Sequence, residues 1–194
     1  NYVIPKSYPL VLCLHGAGVR CDDNYSQLKF GVSHLAEHHF RERYPAIVVA
    51  PQVAGGEYWS TMSYVRDTSS FTKSMAKEPR PPMRITIALL EELQKKYSVD
   101  SDRLYVTGIS MGGFGTFDLI QRFPNKFAAA VPICGGGDLT RAYMLTDIPL
   151  WVFHGTEDEV VHPEFSRSMV EAIRIAGGEI GYTEYPDEGH VGAW

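Results

Sequence analysis

Apolar residues come in short runs at Leu10 to Leu14, Ala46 to Ala50, Leu104 to Thr107, Ala128 to Cys134 and Leu150 to His154, mostly without apolar and polar alternation. Runs of that length and continuity predict strands buried on both faces. Ile180 to Tyr185 alternates and predicts a strand nearer a sheet edge. Between the runs the period changes. Ile85, Leu89, Leu90 and Leu93 fall at helical spacing within Met83 to Tyr97, predicting one apolar stripe against the core. Ser26 to Phe40, Gly112 to Phe123 and Pro163 to Ala176 read as helices too, the last with Pro163 in its first turn and Gly177 at its stop. Strand and helix alternate along the chain. That order predicts an α/β fold, a mainly parallel central sheet with helices on both faces, and ligands at the carboxyl ends of the strands.

One stretch breaks the pattern. Val53 to Pro82 carries Gly55 and Gly56, aromatics at Tyr58, Trp59, Tyr64 and Phe71, and prolines at 79, 81 and 82, with no sustained period. It predicts a long surface excursion, and its aromatic residues, Trp59 foremost and Tyr58 beside it, are expected to line a substrate pocket.

Composition narrows the classes. The 194 residues, 44% of them hydrophobic, suit a single domain over 1–194. A formal net charge of -5 lacks the basic footprint of a nucleic-acid binder, so no nucleic-acid partner is expected. No apolar run approaches the ~20 residues of a membrane-spanning helix, so no membrane span is expected. Asn1 to Lys6 lack the charged and apolar regions of a signal peptide, and the compartment and oligomeric state are left unassigned. The three cysteines, Cys13, Cys21 and Cys134, show no C-x-x-C spacing and read as thiols.

The chemistry is densest after the third run. Gly108-Ile109-Ser110-Met111-Gly112 follows a predicted strand and opens a predicted helix, the setting that G-x-S-x-G requires. A sharp turn there lifts a serine hydroxyl out of the sheet, and β-carbons at Gly108 or Gly112 would strike neighbouring backbone. A serine hydroxyl needs a histidine to take its proton and a carboxylate to orient that histidine. His190 lies just past Ile180 to Tyr185, and Asp158 lies in the loop after Leu150 to His154. Among competing acids, Glu157 would point elsewhere in that loop, Asp187 reads as solvated, and Asp138 comes a strand too early and suits a helix cap. His154, ending a buried run, reads as a hydrogen-bonded structural residue. His15-Gly16-Ala17-Gly18 follows the first run, and main-chain N–H groups there and after the serine can bind an oxyanion. Ala17 and Met111 are the expected donors, with Gly18 as fallback for the first.

Other patterns carry less. His34-Leu35-Ala36-Glu37-His38 matches a zinc-peptidase spacing, but it lacks an identifiable third ligand and its helix spends Leu28, Val32 and Leu35 on the core. Ser74-Met75-Ala76-Lys77 matches S-x-x-K without its companion motifs, and Asn24-Tyr25-Ser26 is a common glycosylation tripeptide.

With these residues in place the chain resembles the α/β-hydrolases, in the esterase and phospholipase/carboxylesterase-like branch that includes polyhydroxybutyrate depolymerase-like and feruloyl esterases. The matching stretches are Pro9 to Gly18, Arg103 to Gly113, Val131 to Asp138, Trp151 to Gly155 and Tyr182 to Pro186. The resemblance implies an α/β-hydrolase fold and cleavage of a small-molecule or polymer-attached carboxylic ester through an acyl-enzyme, with no metal or organic cofactor. It supports Ser110, His190 and Asp158 as the triad. It also implies further strands ahead of Leu10 and a final helix past the histidine, whereas four residues follow His190.

Overall fold

The computed structural model describes residues 6–62 and 74–193. Tyr64 and Phe71, named among the aromatics of the excursion, lie outside them. Six strands, β1 (Tyr8–Leu14), β2 (Ile47–Val49), β3 (Val99–Ile109), β4 (Ala129–Ile133), β5 (Leu150–Gly155) and β6 (Ile180–Tyr185), form one sheet in the order β2-β1-β3-β4-β5-β6. Every pairing in it is parallel. Helices flank the sheet: α1 (Val32–Leu35), α2 (His38–Arg43), α3 (Pro81–Lys96), α4 (Met111–Arg122) and α5 (Glu164–Ile175).

The strand order positions the site. The chain leaves β1 toward one edge to lay down β2, then returns to lay β3 against the other side of β1. The loops after β1 and β3 therefore part in opposite directions, leaving a crevice at the carboxyl ends of those strands. Leu10, Leu12 and Leu14 of β1 and Leu104 and Val106 of β3 are buried in the main core below it. α4 runs through the centre of the molecule, with every residue from Met111 to Gln121 buried.

α3 starts at the paired prolines, which suit a first turn that has no N–H partners to lose, and ends with Lys95 and Lys96 against the negative end of the helix. Its buried residues are Met83, Thr86 and Leu90, while Leu89 and Leu93 pack partly against the core. Ile85, expected in the stripe, is 69% exposed instead. At ~100° per residue it stands ~200° round the helix from Met83. α5 ends as expected at Gly177, whose φ of 95° few other residues adopt readily.

The continuous helix expected over Ser26 to Phe40 is replaced by three short pieces: a 3-10 turn at Ser26–Leu28, then α1, then α2. Phe30 and Gly31 between the first two have positive φ, 58° and 95°, which a right-handed helix cannot pass through. A 3-10 helix at Leu139–Leu145, capped by the Asp138 carboxylate accepting from the Thr140 N–H, was not anticipated beyond the cap itself.

Candidate active site

Ser110 sits at the junction of β3 and α4 with φ 57° and ψ -114°, a conformation that costs a non-glycine residue on the order of 1–3 kcal/mol. Close packing holds it there. A β-carbon on Gly108 would strike the Gly112 carbonyl, and one on Gly112 would strike the Leu14 carbonyl at the end of β1. The Ser110 N–H donates to the Ile133 carbonyl on β4 at 2.8 Å, tying the turn to the neighbouring strand.

The loops after β5 and β6 are laced together. The Thr156 N–H donates to the Tyr185 carbonyl and the Glu157 N–H to the Glu188 carbonyl, each at 2.9 Å, and the Asp187 N–H donates back to Thr156 Oγ1 at 2.9 Å. This stitching brings Asp158 to His190: His190 Nδ1 is 2.7 Å from Asp158 Oδ2, and His190 Nε2 is 3.0 Å from Ser110 Oγ. Asp158 is 2% exposed, and its Oδ1 accepts from the Val160 and Val161 N–H groups at 2.9 and 2.8 Å. Burial works against its charge, but hydrogen bonds from His154, His190 and the Val161 N–H outweigh burial and hold the pKa well below the usual carboxylate range.

The other acids stand apart. Glu157 and Asp187 are exposed, and Asp138 is buried with Oδ2 accepting from the Met75 N–H and Oδ1 from Thr140. His154 is fully buried, 2.7 Å from Ser166 Oγ through Nδ1 and 2.8 Å from the Val161 carbonyl through Nε2. Cys134, His154 and Asp158 each bring a potential metal-ligating atom within 4.8 Å of one another, in an enclosed cluster whose histidine and carboxylate are already engaged by Ser166, Val160, Val161 and His190. All three cysteines are free.

Ala17 opens a 3-10 turn directly after β1, and Met111 opens α4, so each N–H stands in a first turn that has no partner for it within the element. His15 secures the first turn: its Nδ1–H donates to the Gly16 carbonyl at 2.8 Å and its Nε2 accepts from the Val53 N–H at 2.9 Å. A neutral ring fits this arrangement, and burial, the largest influence on it, lowers the His15 pKa.

A cavity of about 850 Å³ opens over Ser110 and His190. Phe30, Val32, Leu35, Ile109, Val160 and Val191 are among its apolar lining residues. Trp59 and Tyr58, expected to line a substrate pocket, are not among the residues that line this cavity. Trp59 is 1% exposed, its indole N–H donates to the His15 carbonyl at 3.0 Å, and its ring fills the space left by Gly115. Tyr58 packs against the core with the Arg20 and Arg80 guanidinium carbons 4.9 and 5.5 Å from its ring centre. The wall instead uses the broken stretch after Ser26, whose apolar residues had been assigned to a core-facing helix. His34 and His38 fall on separate helices and pair with Glu37 and Glu42, so they share no helix face.

Residues 83–152 match the family model described as the prolyl oligopeptidase family. The chain is 27% identical over 154 residues to a bifunctional acetylxylan esterase/xylanase of Neocallimastix patriciarum, covering 79% of this chain and 20% of that protein. It is 28% identical over 135 residues to poly(3-hydroxyalkanoate) depolymerase C of Paucimonas lemoignei, covering 69% of this chain and 29% of that one. Among solved structures, a thermostable esterase superposes with a TM-score of 0.86 at 40% identity, over 96% of this chain and 48% of its own. The chain thus spans less than half the length of each of these relatives. Fold, strand order and these similarities agree: the chain has the α/β-hydrolase fold and is similar to esterases and a depolymerase.

Proposed function

We propose that this chain carries the catalytic core of a carboxylic-ester hydrolase that works through an acyl-enzyme. The observation that carries the reading is the unbroken hydrogen-bonded line from Asp158 through His190 to Ser110, ending at a cavity with apolar walls. In this reading Ser110 Oγ attacks the ester carbonyl while His190 Nε2 takes its proton. Asp158 holds the Nδ1–H tautomer and balances the imidazolium charge. The Ala17 and Met111 N–H groups bind the oxyanion of the tetrahedral intermediate. His190 then protonates the departing alkoxide, and a water deprotonated by the same ring releases the acid. The names of the esterase and depolymerase relatives support an ester, free or polymer-attached, as the substrate.

The test is turnover of a chromogenic short-chain ester by wild type and Ser110→Ala. Removing a nucleophile that acts within such a unit is expected to lower kcat by roughly 10⁴ to 10⁶ with KM little changed. A Ser110→Ala enzyme with near wild-type kcat overturns the assignment. The match of residues 83–152 to the prolyl oligopeptidase family favours a second reading, a peptidase using the same residues. Parallel assays on matched ester and anilide substrates separate the two, since a peptidase would retain substantial kcat/KM on the anilide.

A further inference from the structure

The reaction proposed above uses one imidazole on Asp158, and the structure places two there. Asp158 Oδ2 lies 2.7 Å from His190 Nδ1 and 3.2 Å from His154 Nε2. Both neighbours of His154 Nε2, the Val161 carbonyl and the Asp158 carboxylate, are acceptors, so that nitrogen carries the proton and donates. The ring cannot swing away: it is fully buried, and its Nδ1 meets Ser166 Oγ, a hydroxyl that also lies 2.9 Å from the Gly135 carbonyl. The other carboxylate oxygen is taken by the Val160 and Val161 N–H groups.

We propose that His154 is a positioning residue for the Ser110 reaction, its Nε2–H holding the Asp158 oxygen that His190 also uses and so setting how much carboxylate charge reaches the base. The proposal rests on the Ser110, His190 and Asp158 reading. An N–H shared onto Oδ2 draws charge from the bond to His190. Without it, Asp158 stabilises the protonated His190 ring more strongly, and the base is disabled at a higher pH.

The groups that face this pair fix the pH behaviour. β5 presents His154, the end of β4 presents Cys134, and α5 presents the uncharged Ser166 hydroxyl. Cys134 Sγ donates to the His190 carbonyl at 3.9 Å. Burial, with the Asp158 charge second, pushes the Cys134 pKa up, so the thiol stays protonated through an ordinary assay range. Glu157, Glu159, His162 and Glu188 on the adjoining loops are exposed to solvent, where screening weakens their reach.

The experiment measures kcat/KM for a chromogenic ester from pH 5 to 9 in wild type, His154→Leu, His154→Gln and His154→Asn. A glutamine amide reaches the place of Nε2 and keeps a donor toward Asp158, whereas an asparagine amide reaches only the place of Nδ1 and the Ser166 side. The acid limb is expected to move up by about one pH unit in His154→Leu and His154→Asn, with the plateau kcat/KM down roughly tenfold, and to stay at the wild-type position in His154→Gln. A folded fraction that stays constant with pH scales the profile without moving the limb, so each variant's folded fraction is followed by circular dichroism over the same pH range, and a poorly folding leucine variant leaves the glutamine and asparagine pair decisive. A wild-type limb in the asparagine variant, or equal displacement in glutamine and asparagine, overturns the proposal and leaves His154 a purely structural residue. Ser110→Ala, assayed alongside, separates the failures: if it stays active the hydrolase assignment falls, and if it is inactive while the limbs coincide only the role of His154 falls.

Discussion

Ser110 is held in a backbone conformation that its own side chain disfavours, and the surrounding glycines are what make room for it. The Gly108 α-carbon faces the Gly112 carbonyl and Thr116 Oγ1 so closely that a methyl group requires the start of α4 to move. Gly108→Ala is therefore expected to cost about 1–3 kcal/mol in urea unfolding, as overpacked sites do, and to lower kcat by more than tenfold because Ser110 moves with the helix. Gly55→Ala is the control: Gly55 is exposed and has no atom near its missing β-carbon, so stability within ~0.5 kcal/mol of wild type is expected. Equal effects in the two variants would show that packing at the elbow is not what fixes Ser110.

α4 carries the strain of that elbow and also anchors the stretch between β2 and α3. The buried Asp118 carboxylate pairs with Arg122 Nε at 2.6 Å and accepts from Ser60 Oγ at 2.8 Å, and Arg122 passes its other N–H groups to the Ala76 and Lys77 carbonyls. One ion pair on α4 thus grips both ends of the segment that flanks residues 63–73. Removing one partner strands the other, so Asp118→Ala is expected to lower unfolding free energy by about 3–5 kcal/mol. Asp118→Leu combined with Arg122→Met should cost clearly less, and equal losses in the two would remove the buried-charge explanation. Nothing in the local sequence announced this pair, since Asp118 and Arg122 look like any i,i+4 surface pair on an amphipathic helix. The same limit explains Trp59, whose destination was set by Gly115 and His15, 56 and 44 residues away by the numbering of the sequence. Strands and the elbow were legible because their signals are contiguous: apolar runs for β1 to β5, and glycines flanking a serine. The break at Phe30 and Gly31 was not, because the apolar spacing of Leu28, Val32 and Leu35 matches a helix, while in the fold Val32 and Leu35 line the cavity and Leu28 is exposed.

Across the whole molecule, two buried groups at the carboxyl ends of the sheet tie stability to pH in the same direction. Burial depresses the His15 pKa, and the neutral ring accepts the Val53 N–H, so proton uptake breaks that bond. The His15 contribution is fully present above the unfolded-state value of ~6.5 and is lost as pH falls through the lower folded value. Hydrogen bonds outweigh burial and depress the Asp158 pKa, so its contribution is fully present above ~3.9 and is lost as pH falls further. Unfolding free energy should therefore decline in two stages on acidification, the first from His15 and the second from Asp158. His15→Gln keeps an acceptor for the Val53 N–H but cannot titrate, and it is expected to flatten the first stage while leaving the second. Asp158→Asn should do the reverse, with a lower stability at neutral pH and a shallower fall below pH 4. Urea unfolding of the three proteins between pH 8 and 3 checks both, and an unchanged slope below pH 6.5 in His15→Gln would mean the first turn after β1 is held by something other than a neutral imidazole.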